Sequence, residues 1–373
     1  MRILITLPWG ERLGGAEAML HAVLQGARRE HVELVFLQPG GWADELAASG
    51  FTVEVVRAGR LRQVHRWLLT VLRLAQIIRR RRPDLIVNWS AKTQLYGAPA
   101  AALAGMSTRN VWWQHSIAAG AWIDRLATLL PARAIGCTSI AAARAQERLR
   151  PRRRTFVVAA GSPPPGTSSR AASVSARSGR PVVGLVGRLQ PSKGQQRMLE
   201  AQDLLRRRGH EFHLLIVGGD AYGLSPEYPA QLSATIEQLG LDDAVTMVGE
   251  VSDPGPYIQT MDVLVNATDG ESFGIVLLEA MARGVAVMAV NSGGPSELIE
   301  HGRTGVLARS GAPTELADAL EPLLVSPQLR GELGRAGRDR YLRDFTDSAM
   351  RERFFAAMQT LAAGKEWSAL NLI

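Results

Sequence analysis

Short apolar runs that lack a polar alternation, followed by helical patterns, recur along this chain and are interrupted once. Segments 2–7 (RILITL), 32–37 (VELVFL), 51–56 (FTVEVV), 84–89 (DLIVNW), 110–115 (NVWWQH), 134–139 (AIGCTS) and 155–160 (TFVVAA) form a first series. A strand that is apolar on both faces must be covered on both faces, as in a parallel sheet layered between helices. Residues 161–181, rich in Pro, Ser and Gly, hold almost nothing that builds a core and have a linker's composition. The series restarts at 181–187 (PVVGLVG), 212–219 (FHLLIVGG), 244–251 (AVTMVGEV), 262–268 (DVLVNAT), 285–290 (VAVMAV) and 304–308 (TGVLA). From about Pro313 onward the pattern is helical. We expect two doubly wound α/β domains in tandem, 1–165 and 181–346, joined by a linker at 166–180. Ligands of such sheets bind beyond the C-terminal ends of the strands, which two domains would present to a central cleft.

Composition narrows the function classes. At 373 residues the chain is long enough for both domains. No apolar stretch reaches the roughly 18 residues that span a bilayer. MRILITLPW shows no cleavage-site pattern, so a cytoplasmic protein is expected. The single Cys137 excludes an intrachain disulfide and a cysteine zinc site, and its apolar setting reads as a small core residue. Charge is uneven: residues 1–154 are net +13 and the remainder net −5. Such a basic half suits nucleic acid, anionic lipid, an anionic small molecule, or simply a solvated arginine surface. The chain has 40 arginines but only three lysines, which draws attention to Lys193 in a turn behind a strand.

The residues behind each strand are the candidate site. Gly14, Gly15 and Glu17 follow the first strand, and His115 ends NVWWQH. Arg188 and Lys193 follow PVVGLVG; Gly218, Gly219 and Asp220 end FHLLIVGG; residues 291–297 (NSGGPSE) follow VAVMAV. The most informative stretch is 269–280, DGESFGIVLLEA, a turn that opens a helix. A helix start presents unpaired N–H groups and a positive dipole end, a seat for phosphate. Ser272 is expected to cap it, and Gly274 admits close approach of a ligand. Glu271 and Glu279, if both helical, would project roughly 80° apart and serve two parts of one ligand. Taken alone, they read equally as a first-turn dipole partner and a solvated helix residue. Glu17 reads first as a helix-start acid, Asp220 and Asp269 as turn formers, and His115 as a structural histidine. A G-x-G-x-x-G fingerprint, a Walker loop, a D-x-D pair and a metal-ligand cluster are all missing, so no metal or cofactor is expected.

GGAE near the N-terminus, VGRLQPSKG, LLIVGGD, the E-x7-E of ESFGIVLLE and the Gly-Gly loop before Glu297 occur in that order. Together they resemble the retaining GT-B glycosyltransferases of the family-4 type, most strongly over 181–307. The resemblance implies two Rossmann-like domains, with the last helix, about 347–373, packing back on the first. It implies transfer of a sugar from a nucleotide-diphosphate sugar, UDP-linked first and GDP-mannose next, to a hydroxyl acceptor without a metal. Arg188 and Lys193 would hold the diphosphate, Glu279 the ribose hydroxyls and Glu271 the transferred sugar. Amides of Ser272, Phe273 and Gly274 would meet sugar or phosphate, and Gly14 and Gly15 would approach the diphosphate from the first domain. His115 would contact the donor sugar, and Gly249 and Val251 would lie near the base. Where the family shows a Pro-Asn-Gly turn this chain has Ala159, Ala160 and Gly161, so no contact is assigned there. Of Trp112 and Trp113, one reads as core and the other as core or the wall of an acceptor pocket. The acceptor stays open between a lipid-linked, a phosphorylated and a small sugar or cyclitol. The basic half adds peripheral contact with an anionic membrane at the inner surface. An epimerase or phosphorylase on the same fold, and a non-enzymatic basic binding module, are the alternatives.

Overall fold

The computed structural model describes residues 1–12, 14–59, 61–166, 179–220, 223 and 225–365. Of the stretch read as a linker, 167–178 lie outside the described residues, as do 366–373 of the terminal helical stretch. The chain divides into two compact units, Met1–Ala160 with Ser348–Ile373, and Gly161–Asp347.

The first unit is built on strands β1 (Ile3–Leu7), β2 (Val32–Phe36), β3 (Thr52–Val55), β4 (Leu85–Asn88), β5 (Asn110–Gln114), β6 (Ala134–Cys137) and β7 (Thr155–Val157). Its helices are α1 (Gly15–Gln25), α2 (Gly41–Ala48), α3 (Val64–Arg81), α4 (Ala91–Leu103), α5 (Trp122–Leu129) and α6 (Ile140–Arg148). All strand pairs are parallel, in the order β3-β2-β1-β4-β5-β6-β7. Every residue of β1, β4, β5 and β6 is buried, as expected of apolar strands covered on both faces.

The second unit repeats the plan with β8 (Val182–Val186), β9 (His213–Val217), β10 (Val245–Gly249), β11 (Val263–Asn266), β12 (Ala286–Val290) and β13 (Val306–Ala308). Between them run α7 (Gln195–Arg207), α8 (Tyr228–Leu239), α9 (Gly255–Ile258), α10 (Ile275–Ala282) and α11 (Pro295–Leu298). Helices α12 (Pro313–Val325) and α13 (Pro327–Asp344) follow. The sheet is again parallel, ordered β10-β9-β8-β11-β12-β13. In both units the order reverses beside the first strand, which is the switch point where doubly wound sheets place ligands. The last helix, α14 (Asp347–Ala362), returns to the first unit, where Phe354 lies against Trp89 and Trp113.

A buried polar knot fixes three strands of the first unit. Asn88 Oδ1 accepts from Thr6 Oγ1 at 2.6 Å, while Asn88 Nδ2 donates to Gln94 Oε1 at 2.8 Å and Asn110 Oδ1 at 2.6 Å. Asn110 in turn donates to the Pro131 carbonyl at 2.7 Å. Helix α4 sits so close above that a Cβ on Gly97 would lie 1.9 Å from Asn88 Oδ1. Truncating Asn88 to Ala strands three buried partners and opens a cavity, so it should destabilise this unit by about 3 kcal/mol. Tryptophan is absent from residues 161–347, so urea unfolding followed by tryptophan emission reports the first unit. A loss below about 1 kcal/mol would mean the knot adds nothing beyond the packing of its atoms.

Candidate functional site

The C-terminal edge of the second sheet is bare backbone where β8, β9 and β10 end. Gly187 donates to the Val217 carbonyl and Gly218 to the Gly249 carbonyl, both at 2.9 Å, stepping the three strand ends together. Gly218 has φ +142°, and a Cβ there would fall 2.0 Å from the Gly187 carbonyl oxygen, so no other residue fits. Arg188 leaves this ledge, and its carbonyl accepts from Gln195 Nε2 of α7 at 2.8 Å. Val251 lies just beyond Gly249 and is partly buried.

Beside the ledge a helical turn over Pro191–Lys193 delivers Lys193 to Glu271, with Nζ and Oε2 at 2.7 Å. Glu271 also accepts from Ser272 N at 3.1 Å and lies 3.5 Å from Asn266 Nδ2. Burial alone would raise the Glu271 carboxyl, but Lys193, with Asn266 and the Ser272 amide, holds it below the usual range. The ion pair is partly open, its side chains 25% and 14% exposed. The loop that carries Glu271 is stapled to the one after β12. Gly294 donates to the Glu271 carbonyl at 2.8 Å, Gly270 donates to Ser292 Oγ at 3.0 Å, and a Cβ on Gly294 would lie 2.4 Å from Phe273 Cα. The Gly-Gly loop is therefore a clamp on the Glu271 turn. A cavity of about 40 Å³ lies under the pair, lined by Lys193, Gln195, Asn266, Thr268 and Glu271.

Two details of the sequence reading are corrected here. Gly274, at φ +96°, is the residue that caps α10, and no side chain bonds the helix start. Ser272 is thus not the cap, because the chain needs a left-handed turn before the helix and only glycine adopts it freely. Glu271 precedes the helix altogether, so the 80° relation between two helical carboxylates does not apply. Glu279 is helical and partly buried. Its carboxyl is pushed up to about 7 by burial, against the pull of Arg283 and with a further push from Asp253. Among the described residues no hydrogen bond or ion pair reaches its carboxylate, while the Arg283 guanidinium is spent on the Glu279 carbonyl at 2.9 Å.

The structure thus brings Lys193, Glu271, Ser272, Phe273 and Gly274 together at one strand edge, with Glu279 inside the helix that starts there. Gln195, Asn266 and Asp253 belong to this assembly and were not singled out in the sequence. Asn266 ends β11, so a reading that takes the last strand residue as well as the loop finds it. Gln195 and Asp253 carry no sequence signal of their own.

In the first unit, Gly14 caps α1 and Gly15 is its first residue. Glu17 is buried in that first turn and accepts from Trp9 Nε1 at 3.1 Å, the arrangement of a dipole partner. His115 follows β5, with its ring 4.8 Å from that of Trp89. Burial pushes its imidazole down to about 3, partly offset by a hydrogen bond with the Trp89 backbone, so the ring is neutral near pH 7. Its Nε2 is buried with no hydrogen-bond partner among the described residues. Trp112 and Trp113 are both fully buried, and Trp113 stacks on Trp89 at 5.1 Å, so both are core.

Comparison with known proteins agrees with this geometry. The sequence model of the family described as "Glycosyl transferases group 1" matches residues 169–340. A D-inositol 3-phosphate glycosyltransferase of Gordonia bronchialis is 35% identical over 191 residues, 49% of this chain and 42% of that protein. A GDP-mannose-dependent alpha-(1-6)-phosphatidylinositol monomannoside mannosyltransferase of Mycobacterium tuberculosis is 36% identical over 169 residues, 43% of this chain and 42% of that protein. The matched stretch therefore spans less than half the length of these curated relatives. Over nearly the whole chain, the structure of HepE from Anabaena in complex with UDP and glucose superposes with a TM-score of 0.84 at 24% identity. That likeness covers 96% of this chain and 100% of the other. Sucrose-phosphate synthase from Thermosynechococcus elongatus gives 0.79 at 19% identity, covering 98% and 100%. The chain accordingly has the GT-B fold of two Rossmann-like units, and the match to the glycosyl transferases group 1 model falls in the second of them.

Proposed function

We propose that this chain is a retaining glycosyltransferase that moves a sugar from a nucleoside-diphosphate sugar to a hydroxyl acceptor, with no resident metal. The observation that bears most weight is the Lys193–Glu271 pair beside the start of α10, one helix turn and more away from a carboxylate with no partner of its own. Lys193 and Arg188 supply the two cations a diphosphate needs, and the α10 N-terminus adds its dipole. An arriving phosphate shares Lys193 with Glu271, which frees a carboxylate oxygen for a sugar hydroxyl. Glu279 accepts from the two ribose hydroxyls, donors that satisfy its carboxylate and draw its pKa back down.

In the reaction the C1–oxygen bond to the diphosphate lengthens and positive charge grows on the sugar ring. The charge on the departing diphosphate is met by Arg188, Lys193 and the helix start. The acceptor hydroxyl attacks from the face the diphosphate leaves and passes its proton to the phosphate oxygen. His115, Gly14 and Gly15 are given to the donor by family resemblance, and the neutral imidazole suits contact with an uncharged hydroxyl. UDP-sugars are the first donors to try, since the HepE neighbour is in complex with UDP; GDP-mannose is the second, from the mycobacterial relative. A cyclitol phosphate or inositol lipid acceptor follows from the relatives' names.

Release of nucleoside diphosphate from a panel of UDP- and GDP-sugars, with NMR of the product's anomeric proton, tests the reading. Isomerised sugar formed without an acceptor would replace transfer by epimerisation, and an inverted product would remove the retaining mechanism. Lys193→Ala should lower kcat/KM by about 10²-fold to 10³-fold in a chain that still folds but melts lower, because Glu271 loses its cation; full turnover in that variant would end the assignment. Steady activity after chelation by EDTA is expected, and loss of turnover there would contradict charge neutralisation by arginine and lysine.

Glu279 gives a separate test through pH. Nucleotide affinity should strengthen as pH rises through about 7, because only the ionised carboxylate accepts from both hydroxyls. Glu279→Gln should flatten that profile. A carboxyl raised from its unfolded value toward 7 is harder to ionise in the fold, so stability is lost as pH climbs through that interval. The same variant should therefore melt higher than the parent at pH 8 and no differently at pH 4. A flat parent profile, or equal melting at pH 8, would show that Glu279 is not the raised group.

A further inference from the structure

The first unit has an apolar face that the proposed reaction does not use. On α3, Val64, Leu68, Leu69 and Leu72 are between 43% and 70% exposed. At 100° per residue they span about 140° of one helix face. Arg66, Arg73 and Arg80, seven residues apart, run along the edge of that stripe. On α5 the pattern recurs at helical spacing, with Trp122, Leu126 and Leu129 between 47% and 74% exposed. Arg125 lies among them, and the only acid of α5, Asp124, is buried. Helix α4 packs against both α3 and α5, and Leu61, just ahead of α3, shares a core cluster with Ile123 of α5.

Charge on this face is mainly positive, although Arg80 is paired with Glu54 at 2.7 Å. Residues 55–123 contain eleven Lys and Arg and a single carboxylate, Asp84, which accepts from the Arg2 amide at 2.7 Å. Both helices also begin where their strands end, α3 after β3 and α5 after β5. Val64 and Trp122 are the first residues of those helices, so the exposed apolar residues start from the same sheet edge as Gly14 and His115.

We propose that α3 and α5 form the surface by which this protein docks on an anionic lipid bilayer. Aliphatic and tryptophan side chains enter the headgroup boundary, and the arginine row meets the lipid phosphates. Nucleic acid would account for the arginines but leave the exposed leucines and Trp122 unused. A second copy of the chain would bury the apolar stripe while setting two strongly basic faces against each other. A bilayer uses both components. No helix among the described residues is long and apolar enough to cross a membrane, so the attachment is peripheral. The face goes beyond the proposed reaction and stands without it, since binding is read with no donor present. If the reaction also holds, it brings a lipid-linked acceptor to the edge where His115 lies.

The test is flotation of the full chain with vesicles of phosphatidylglycerol and phosphatidylcholine in equal parts, against phosphatidylcholine alone. The parent should float with the anionic vesicles, with a blue shift in tryptophan emission, and far less with the neutral ones. Leu68→Glu with Leu72→Glu should weaken binding by about tenfold or more. Arg66→Gln with Arg73→Gln should weaken it by about fivefold per arginine and reduce its salt dependence. Melting temperature and nucleotide binding of both variants should match the parent, which separates a lost surface from a lost fold. Equal flotation of the Leu68→Glu/Leu72→Glu variant and the parent would overturn the proposal. So would a concentration-dependent dimer that this variant abolishes, or duplex DNA binding that depends on Arg66 and Arg73 in a chain that ignores vesicles.

Discussion

The ion pair between Lys193 and Glu271 organises the second unit's strand edge. Neither charge is fully solvated there, so each is held in place by the other: an ammonium ending one strand's turn and a carboxylate ending another's. Removing either partner would leave a partly buried charge unmatched, which costs more than the pair contributes when intact. Everything nearby serves that geometry. Gly194, at φ +78°, turns the chain so closely that a Cβ would lie 2.5 Å from the Ala267 carbonyl oxygen, and Gly294 seats against Phe273. These contacts are backbone on backbone, which explains why the stretch is glycine-rich.

Much of this plan is written in the sequence, because burial on both faces gives parallel strands a distinctive apolar run. Both sheets fall where those runs stand, trimmed by a residue or two at the ends; TFVVAA is the widest difference, with only Thr155–Val157 in the strand. Helix α4 has no comparable signal. It contains Gly97 and Pro99 and is buried nearly all round, so no polar face marks its period. The α10 start is misread for a related reason. Serine is the stronger capping residue by propensity, but the backbone before the helix must pass through a left-handed turn, and Gly274 is the residue that tolerates it. What is least legible is the electrostatic state of Glu279, which is set first by its burial and then by Arg283 and Asp253 beside it.

The two carboxylates illustrate how environment separates identical groups. Glu271 is partly buried but has a cation and two donors, so it stays ionised below its usual range. Glu279 has similar burial, a cation whose hydrogen bond goes elsewhere, and an acid nearby, so its carboxyl rises. One is therefore a fixed negative charge and the other a group whose charge depends on what donates to it. Spacing in the sequence, eight residues apart, carries none of this difference.

The same logic limits what His115 does. Its imidazole is wedged against Trp89, bonded to that residue's backbone and pushed well below neutrality by burial. A ring in that state has one nitrogen left, Nε2, and offers it as an uncharged hydrogen-bonding group. It can orient a hydroxyl, but it cannot offset the charge of a leaving diphosphate. In the proposed reaction that work would fall to Arg188 and Lys193 of the second unit. The division agrees with how the two units are built: aromatic packing fixes a neutral ring in the first, and glycine ledges lie beside paired ions in the second.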